Sequence, residues 1–481
     1  MSTGPLVIVG DALLDQDVDG RAERLSPDAP VPVVEDAAGR TRPGGAALAA
    51  LLAARALDDG ACGGPDGGGP DGGARALGDG IVLIAPFGSD PASGTVRDML
   101  PGMVTVIPLP LDGALQEKTR IRVGGRTLLR VDRPAATPGP AGAEAADAIA
   151  AAGAVLVSDY GHGTTRDPVL RDALASRAAR APVVWDPHPR GATPVPGTWL
   201  ATPNEGEATA AAGAGGVLGG VLGAAEAAER LLGIWPSQAV AVTLGSRGAL
   251  LARPGHAPLA IPATPIGATD PCGAGDRFAV AVAAALREGA LLSEAVTWGV
   301  AAATRYLAEG GVNGPAGPRG RQAAEVSGSV PPGGVLVATG GCFDVLHAGH
   351  VSMLRAARSL GDSLVVCLNS DASVRRLKGP GRPLNTAADR AAVLAALDCV
   401  DEVLIFDEDT PERLLSEIMP AIWVKGGDYD GRELPEAAAL RRWNGRVVTV
   451  PYLAGRSTTA VLARGDSATR GDDPLEPPVA R

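Results

Sequence analysis

Aromatic side chains are scarce in this 481-residue chain: six Trp, four Tyr and four Phe, 3% of the total. Its cores must therefore be built from Ala, Val and Leu, and a hydrophobic content of 46% is ample for that. Cysteine is equally sparse. Cys62, Cys272, Cys342, Cys367 and Cys399 are scattered, with neither metal-type pairs nor the spacing of a secreted disulfide framework, which predicts reduced, buried thiols. No run of Lys or Arg is long enough to mark a nucleic-acid surface, and the net charge of −11 argues against polyanion partners while leaving local phosphate binding open. No apolar stretch approaches the roughly 20 residues of a membrane span. The opening Leu6-Val7-Ile8-Val9-Gly10-Asp11 lacks the charged head and cleavage site of a signal peptide. These absences predict a cytoplasmic protein that acts on small molecules.

Length alone predicts two or three domains. Short Val/Ile/Leu runs alternate with Ala-rich stretches of helical length: Leu6–Val9, Ile81–Ala85, Ala154–Val157, Pro182–Trp185, Ala239–Thr243, Val335–Ala338 and Ser363–Cys367. Unbroken apolar strands between helices predict βαβ units, an α/β class and a largely parallel sheet covered on both faces. From Gly310 to Gly334 the chain turns rich in Gly, Pro and Ser, which reads as a linker. The predicted division is a first domain over 1–315, a linker over 316–334, a second domain over 335–465 and a disordered tail over 466–481. Residues 59–74, nearly all Gly, Pro, Asp and Ala, read as a surface insertion.

The second domain carries the sharper chemistry. The strand Val335–Ala338 runs into Thr339-Gly340-Gly341-Cys342-Phe343-Asp344-Val345-Leu346-His347-Ala348-Gly349-His350, then an amphipathic helix to about Leu360. Glycines at a strand end let backbone approach a phosphate, and the following helix offers N–H groups and its positive dipole end. His347 and His350, three positions apart, can aim both imidazoles at one spot on the first helical turn. Donors there stabilise charge developing on a phosphoryl group, which is electrostatic rather than nucleophilic catalysis.

These residues resemble the HxGH signature of the cytidylyltransferase-like nucleotidyltransferases. Within that group they are most similar to the adenylyltransferase half of the bifunctional heptose-7-phosphate kinase/heptose-1-phosphate adenylyltransferases. The resemblance extends to Asn369–Ser373, Arg376–Gly379, Arg382-Pro383, Glu408–Pro411, Val424–Tyr429 and Ser457-Thr458-Thr459. It implies a Rossmann-like domain in which Gly341, Cys342, Phe343 and Asp344 line the nucleotide site. Lys378 would contact phosphates, and Lys425, Gly426 and Asp428 would border the nucleotide. Ser457, Thr458 and Thr459 would offer hydroxyls and helix N–H groups to the triphosphate. The implied reaction is attack of a sugar 1-phosphate on the α-phosphorus of ATP with Mg²⁺, giving ADP-heptose and pyrophosphate.

Residues 1 to about 315 resemble the ribokinase-like sugar kinases, an α/β sandwich with a small β lid. The resemblance rests on Val9-Gly10-Asp11, Leu14-Asp15, Leu25–Val33, Arg42–Ala47, Lys118-Thr119-Arg120, Ser158-Asp159-Tyr160, Thr202-Pro203-Asn204 with Glu207, and Asp270–Asp276. Backbone N–H groups of Gly273, Ala274 and Gly275 at a helix start would form an anion hole, and Asp276 could take the acceptor hydroxyl's proton as general base. The resemblance further implies that Asp11, Asp15, Gly44, Gly45 and Lys118 bind sugar. Asp270 would border the phosphates, Asn204 and Glu207 would organise Mg²⁺ through water, and Val240–Leu244 with Gly245 and Gly248 would flank adenine. Pairing of two copies through the lid, from segments near Val31–Glu35 and Arg120–Arg130, is also implied.

The chain departs from this resemblance at three places: Leu48 where an Asn is usual, and His162 and His188 where Lys is expected. Besides the bifunctional reading, two others follow. The first domain is a binding or dimerisation module and only the transferase works, or both domains act on another sugar phosphate or use CTP.

Overall fold

The computed structural model describes residues 4–58, 80–124, 126–133, 136–213, 219–266, 270–313, 334–427 and 435–451. The insertion expected at 59–74, all of the linker before Gly334, and the tail lie outside the described residues. Two compact units form. One comprises Met1–Val217, Glu226–Pro254 and Ala263–Arg321; the other comprises Leu218–Ala225, Gly255–Pro262 and Gln322–Arg481.

The central sheet of the first unit runs in the order Ala249–Ala252, Val240–Thr243, Leu200–Ala201, Val183–Asp186, Ala154–Ser158, Leu6–Gly10, Ile81–Phe87, Val104–Pro110. Its strands pair in parallel, except for the antiparallel pair formed by Val240–Thr243 and Ala249–Ala252. Leu6–Gly10 and Ala154–Ser158 are buried along their whole length, as continuous apolar strands under helices on both sides must be. Val7, Val9, Val155, Val157 and Trp185 pack with Ile149, Leu170 and Leu174 from Ala143–Ala151 and Pro168–Ala178. Ala46–Asp58 and Ala274–Arg287 pack together and against the sheet. Asp167 starts the helix Pro168–Ala178: its carboxylate accepts the Leu170 N–H at 2.9 Å, and Pro168 at the first position gives up no needed donor.

A separate four-stranded sheet forms the lid, in the order Pro32–Gly45, Ala12–Leu25, Glu117–Val123, Arg126–Arg133. Its first strand leaves the core sheet directly, with Ala12–Leu14 buried and Glu23–Leu25 exposed. Arg126–Arg133 is exposed throughout.

The second unit contains a parallel sheet ordered Glu402–Phe406, Ser363–Asn369, Leu336–Gly341, Ile422–Gly426, Arg446–Val450. Trp423 is fully buried in its core with Cys367, Phe406, Leu415 and Leu440. The scarce aromatics are thus spent as anchors, Trp185 in one unit and Trp423 in the other. Truncating an anchor of that size costs about 3–5 kcal/mol. Cys367 and Cys399 are buried as expected, and burial pushes the Cys367 thiol up to about 12. Cys272 and Cys342 are only half-buried, because they sit on the two site loops. Cys62 lies outside the described residues. Among the described residues no helix is long and apolar enough to cross a membrane.

Candidate active sites

In the first unit the helix Ala274–Arg287 starts from Gly273, whose φ of +79° is the left-handed region. A Cβ there would meet the Tyr306 hydroxyl at 2.6 Å, so the position needs glycine for both conformation and space. The Ala274 N–H donates to the Pro271 carbonyl at 3.1 Å and closes a turn, so the expected three-donor anion hole narrows to Gly273 and Gly275. Asp270 braces the same turn by accepting the Cys272 N–H at 3.1 Å.

Asp276 lies one turn into the helix and is 7% exposed. Burial raises its carboxyl to about 7, with Asp15 adding to the rise, while a hydrogen bond from Tyr160 pulls the other way. The Tyr160 hydroxyl donates to Oδ1 at 3.1 Å and Oδ2 at 3.2 Å. Loss of solvent also pushes Asp186 well above the usual carboxylate range, reinforced by the charges of Asp276 and Glu207. Lys118 stands 4.9 Å over the Tyr160 ring, and burial lowers its pKa.

Asp15 meets Arg120 at 3.0 Å and Arg42 at 4.0 Å. Below them Asp17, 1% exposed, pairs with Arg42 and lies 3.6 Å from Arg120 and 3.8 Å from Arg122. Arg122 in turn reaches Asp270 at 3.1 Å, and Arg42 donates to the Cys272 sulfur at 3.6 Å. Lid strands and catalytic loop are therefore joined by one ladder of charges.

Several expected residues have protein partners instead of an open face. Asp11 is fully buried, and its carboxylate accepts the N–H groups of Tyr160, His162 and Thr164 at 3.0–3.2 Å. A buried carboxylate needs such partners, so Asp11 shapes the loop that carries Tyr160, His162 and Thr164. Gly44 and Gly45 let their own strand pass close to Asp11 and Leu13: a Cβ on Gly45 would lie 2.2 Å from the Asp11 carbonyl, and one on Gly44 2.1 Å from Leu13 Cδ1. Asn204 and Glu207 form a reciprocal capping box, each side chain accepting the other's N–H at 2.9 Å, which uses one Glu207 oxygen. Gly245, with a φ of +61°, opens the short helix Gly245–Arg247 after Val240–Thr243.

Leu48 is 5% exposed and packs with Leu52 and Tyr306 beneath Gly273. It belongs to the support of the catalytic loop. His162 and His188 both have pKa values lowered, chiefly by burial, so neither replaces the cation of an expected Lys at neutral pH.

In the second unit His347 caps the helix Ala348–Arg358 at the end of Leu336–Gly341. Its ring stacks on His350 with centroids 3.8 Å apart, and Phe343 lies 5.2 Å from His350. Burial, then His347 and Lys378, lowers His350 to about 4. His350 Nδ1 is buried without a hydrogen-bond partner among the described residues, which leaves a donor or acceptor for a ligand. Phe343 adopts a φ of +43°, an outlier for a bulky residue, at the tip of this loop. Gly340 faces the Trp423 ring, which a Cβ would meet at 2.6 Å; Gly341 lies beside Phe343. The Cys342 thiol points at Asn369 Oδ1 at 3.8 Å.

Asp344, expected at the nucleotide, has protein partners for both carboxylate oxygens. Its Oδ1 accepts the Leu384 and Asn385 N–H groups at 2.7 and 3.1 Å, and Oδ2 pairs with Arg382 at 2.5 Å. Lys425 is paired with the buried Glu436 at 2.7 Å; Gly426 ends the same strand. Lys378 sits exposed at the end of Asp371–Lys378. Asp428, Ser457, Thr458 and Thr459 lie outside the described residues.

The sequence of the first unit matches the pfkB family carbohydrate kinase model over residues 117–316, and the second the cytidylyltransferase-like model over 338–464. The bifunctional protein HldE of Streptomyces coelicolor is 53% identical over 97% of both chains. That of Azorhizobium caulinodans is 35% identical over 96% of this chain and 98% of its own. The chain belongs to the family of bifunctional HldE proteins. Among solved structures, the ribokinase of Arabidopsis thaliana with ribose and ATP aligns with a TM-score of 0.49 and 20% identity, covering 64% of this chain and 94% of its own.

As an HldE protein the chain is a sugar kinase joined to a nucleotidyltransferase, in a two-domain α/β architecture. The module reading finds no support, since the chain matches both family models and, over nearly its whole length, bifunctional relatives. Two residues of the candidate sites were not singled out from sequence. Tyr160 was visible only as part of Ser158-Asp159-Tyr160. Arg390, 2% exposed, donates to the carbonyls of Cys342, Asn369 and Asn385 at 2.5, 2.9 and 3.1 Å and to Asp371 at 2.8 Å. A lone Arg inside the Ala-rich helix Ala387–Ala395 is the signal that marks it.

Proposed function

We propose that the first unit phosphorylates C1 of heptose 7-phosphate with ATP and that the second transfers an adenylyl group from ATP to heptose 1-phosphate, releasing pyrophosphate and ADP-heptose. The observation that carries this is the pairing, in one chain, of a buried carboxylate raised to about 7 beside a glycine helix start with a stacked histidine pair at a second helix start.

In the kinase, Asp276 accepts the proton of the C1 hydroxyl as that oxygen attacks the γ-phosphorus. Gly273 and Gly275, with the helix start, face the transferring group. Asp15 and Lys118 bind the sugar phosphate, while Asp11, Gly44 and Gly45 hold the loop around it. Gly245 flanks adenine. Among the described residues no group of three or more His, Cys, Asp or Glu could hold a metal. Mg²⁺ nonetheless fits, because it is usually held by phosphates, water and one or two carboxylates. The Glu207 charge adds to the cost of ionising Asp186, and Glu207 would hold the ion through water. Mg²⁺ would neutralise phosphate charge there.

In the transferase, His347 and His350 donate to the α-phosphate, and Gly341, Cys342 and Phe343 shape the loop around it. Lys378 and Lys425, with Gly426, Asp428, Ser457, Thr458 and Thr459, border the nucleotide. The domain limits 1–315 and 335–465 suit this division. Exposed Leu128, Leu129 and Val131 on the lid edge, with Leu25 and Val31, support pairing of two copies through the kinase lid. ATP as co-substrate of both sites supports a cytoplasmic location.

The test is a phosphorus NMR time course with Mg-ATP and each sugar phosphate in turn. A 1,7-bisphosphate from the first and pyrophosphate from the second uphold the proposal; ATP left intact in either overturns that half.

A further inference from the structure

Tyr160 is partly buried and placed by contacts that do not involve the base. Its N–H donates to Asp11 Oδ2 at 3.0 Å. Its ring lies between the Lys118 ammonium, 4.9 Å from the centroid, and the His188 ring, stacked at 6.4 Å and 15°. The loop around it is fixed again by Asp159, whose carboxylate accepts the Gly161 and Ala192 N–H groups at 2.8 and 2.9 Å and the Thr165 hydroxyl at 2.7 Å. The phenol is thus a preset donor, and the Asp276 carboxylate aligns to it with both oxygens.

We propose that Tyr160 is the positioning residue of the kinase: its hydroxyl holds the Asp276 carboxylate in the orientation that receives the acceptor proton. The same hydrogen bond favours the ionised form of the carboxylate. The proposal rests on the reading of Asp276 as general base. The phenol suits the task chemically. A carboxylate oxygen has two lone pairs, so each can accept from Tyr160 and still receive the sugar hydroxyl. As the new P–O bond forms and the bond to ADP breaks, the hydroxyl proton passes to Asp276, while Tyr160 keeps its own. A Lys in direct contact would hold the carboxylate as firmly but would depress its basicity.

The groups facing Asp276 come from several elements: Tyr160 after the strand Ala154–Ser158, Asp186 on Val183–Asp186, Asp15 and Lys118 on the lid, and Tyr306 on Leu292–Ala308. Burial and Asp15 disfavour its ionisation; Tyr160 and Lys118 favour it. Removing the phenol oxygen leaves burial and the Asp15 charge opposed only by a backbone hydrogen bond and Lys118.

The experiment compares the wild-type full chain with Tyr160→Phe and Asp276→Asn, measuring kinase kcat/KM from pH 5.5 to 9 with Mg-ATP and heptose 7-phosphate. Since the ring keeps its backbone and stacking contacts, Tyr160→Phe should fold. Its acid limb should move up by about one pH unit. The loss would then be about tenfold greater below pH 6.5 than above pH 8.5, where only the smaller loss from misorientation remains, with KM for ATP and adenylyl transfer unchanged. A uniform loss at every pH, or an unchanged profile, overturns the proposal. Retention of kinase activity by Asp276→Asn overturns the base assignment and the proposal with it; its loss beside an unchanged Tyr160→Phe profile overturns the Tyr160 role alone. Carbon-13 NMR of the aspartate carboxyls reads the coupling without turnover. The resonance missing in Asp276→Asn should titrate at higher pH in Tyr160→Phe, and an unmoved midpoint overturns the proposal.

Discussion

His347 and His350 stack with ring centroids 3.8 Å apart on the first turn of one helix, so protonating one imidazole discourages protonating the other. With burial added, His350 stays neutral until pH falls to about 4. His350 therefore meets a polyphosphate as a neutral N–H donor, and its contribution depends on aim rather than on charge.

Replacing His350 with Ala removes one such donor and should lower adenylyl transfer by about 10²–10³-fold. Kinase turnover in the same preparation should be unchanged. Pyrophosphate release and ADP production, measured side by side, check both halves of the statement.

The two activities should separate on acidification. As the proposed base, Asp276 works only when ionised, and its carboxyl is raised to about 7, so kinase kcat/KM should fall about 16-fold in all as pH drops from 7 to 5.5. His350 holds its neutral form throughout that window, so kcat/KM for adenylyl transfer should show no acid limb above pH 5. Parallel pH profiles of the two reactions would contradict this.

Arg390 ties the start of the histidine loop at Cys342 to the end of Ser363–Asn369 and to Asp371. Truncation to Ala leaves three carbonyls and a carboxylate short of a donor, which should cost about 2–4 kcal/mol. Adenylyl transfer should be lost at lower temperature than in wild type, while kinase activity after the same heat challenge is spared. Arg390→Lys should recover only part of the loss, because a single ammonium cannot span the fork.

Leu48 marks the limit of motif reading. Its place in the sequence suggests a lost sugar contact, but the side chain packs on Leu52 and Tyr306 under Gly273. Leu48→Asn should therefore leave KM for the sugar no better, and should destabilise the chain by about 1–3 kcal/mol through an unsatisfied buried amide. A tighter KM would show that the position faces substrate.

How far the sequence could be read follows from where burial is recorded. Each of the seven apolar runs became a strand, because a strand covered on both faces must be apolar at every position. The lid strands escape that pattern. Ala12–Leu25 and Glu117–Val123 carry Asp and Arg at alternating positions, and their inner face is satisfied by ion pairs instead of side-chain packing. Only their resemblance to a known lid points to them. The candidate catalytic residues stand out in the sequence because glycine, Asp and His at fixed spacings have few other uses. The orientation of Asp11 and Asp344 does not: a carboxylate reads the same in sequence whether it faces a ligand or three backbone N–H groups.

The central claim is that one chain carries two independent active sites. The most direct test is a phosphorus NMR time course of wild type, Asp276→Asn and His350→Ala, each with Mg-ATP and heptose 7-phosphate and, separately, heptose 1-phosphate. The account predicts that wild type forms both products, Asp276→Asn forms only ADP-heptose, and His350→Ala forms only the 1,7-bisphosphate. Loss of both products in either variant, or retention of the bisphosphate in Asp276→Asn, would contradict it.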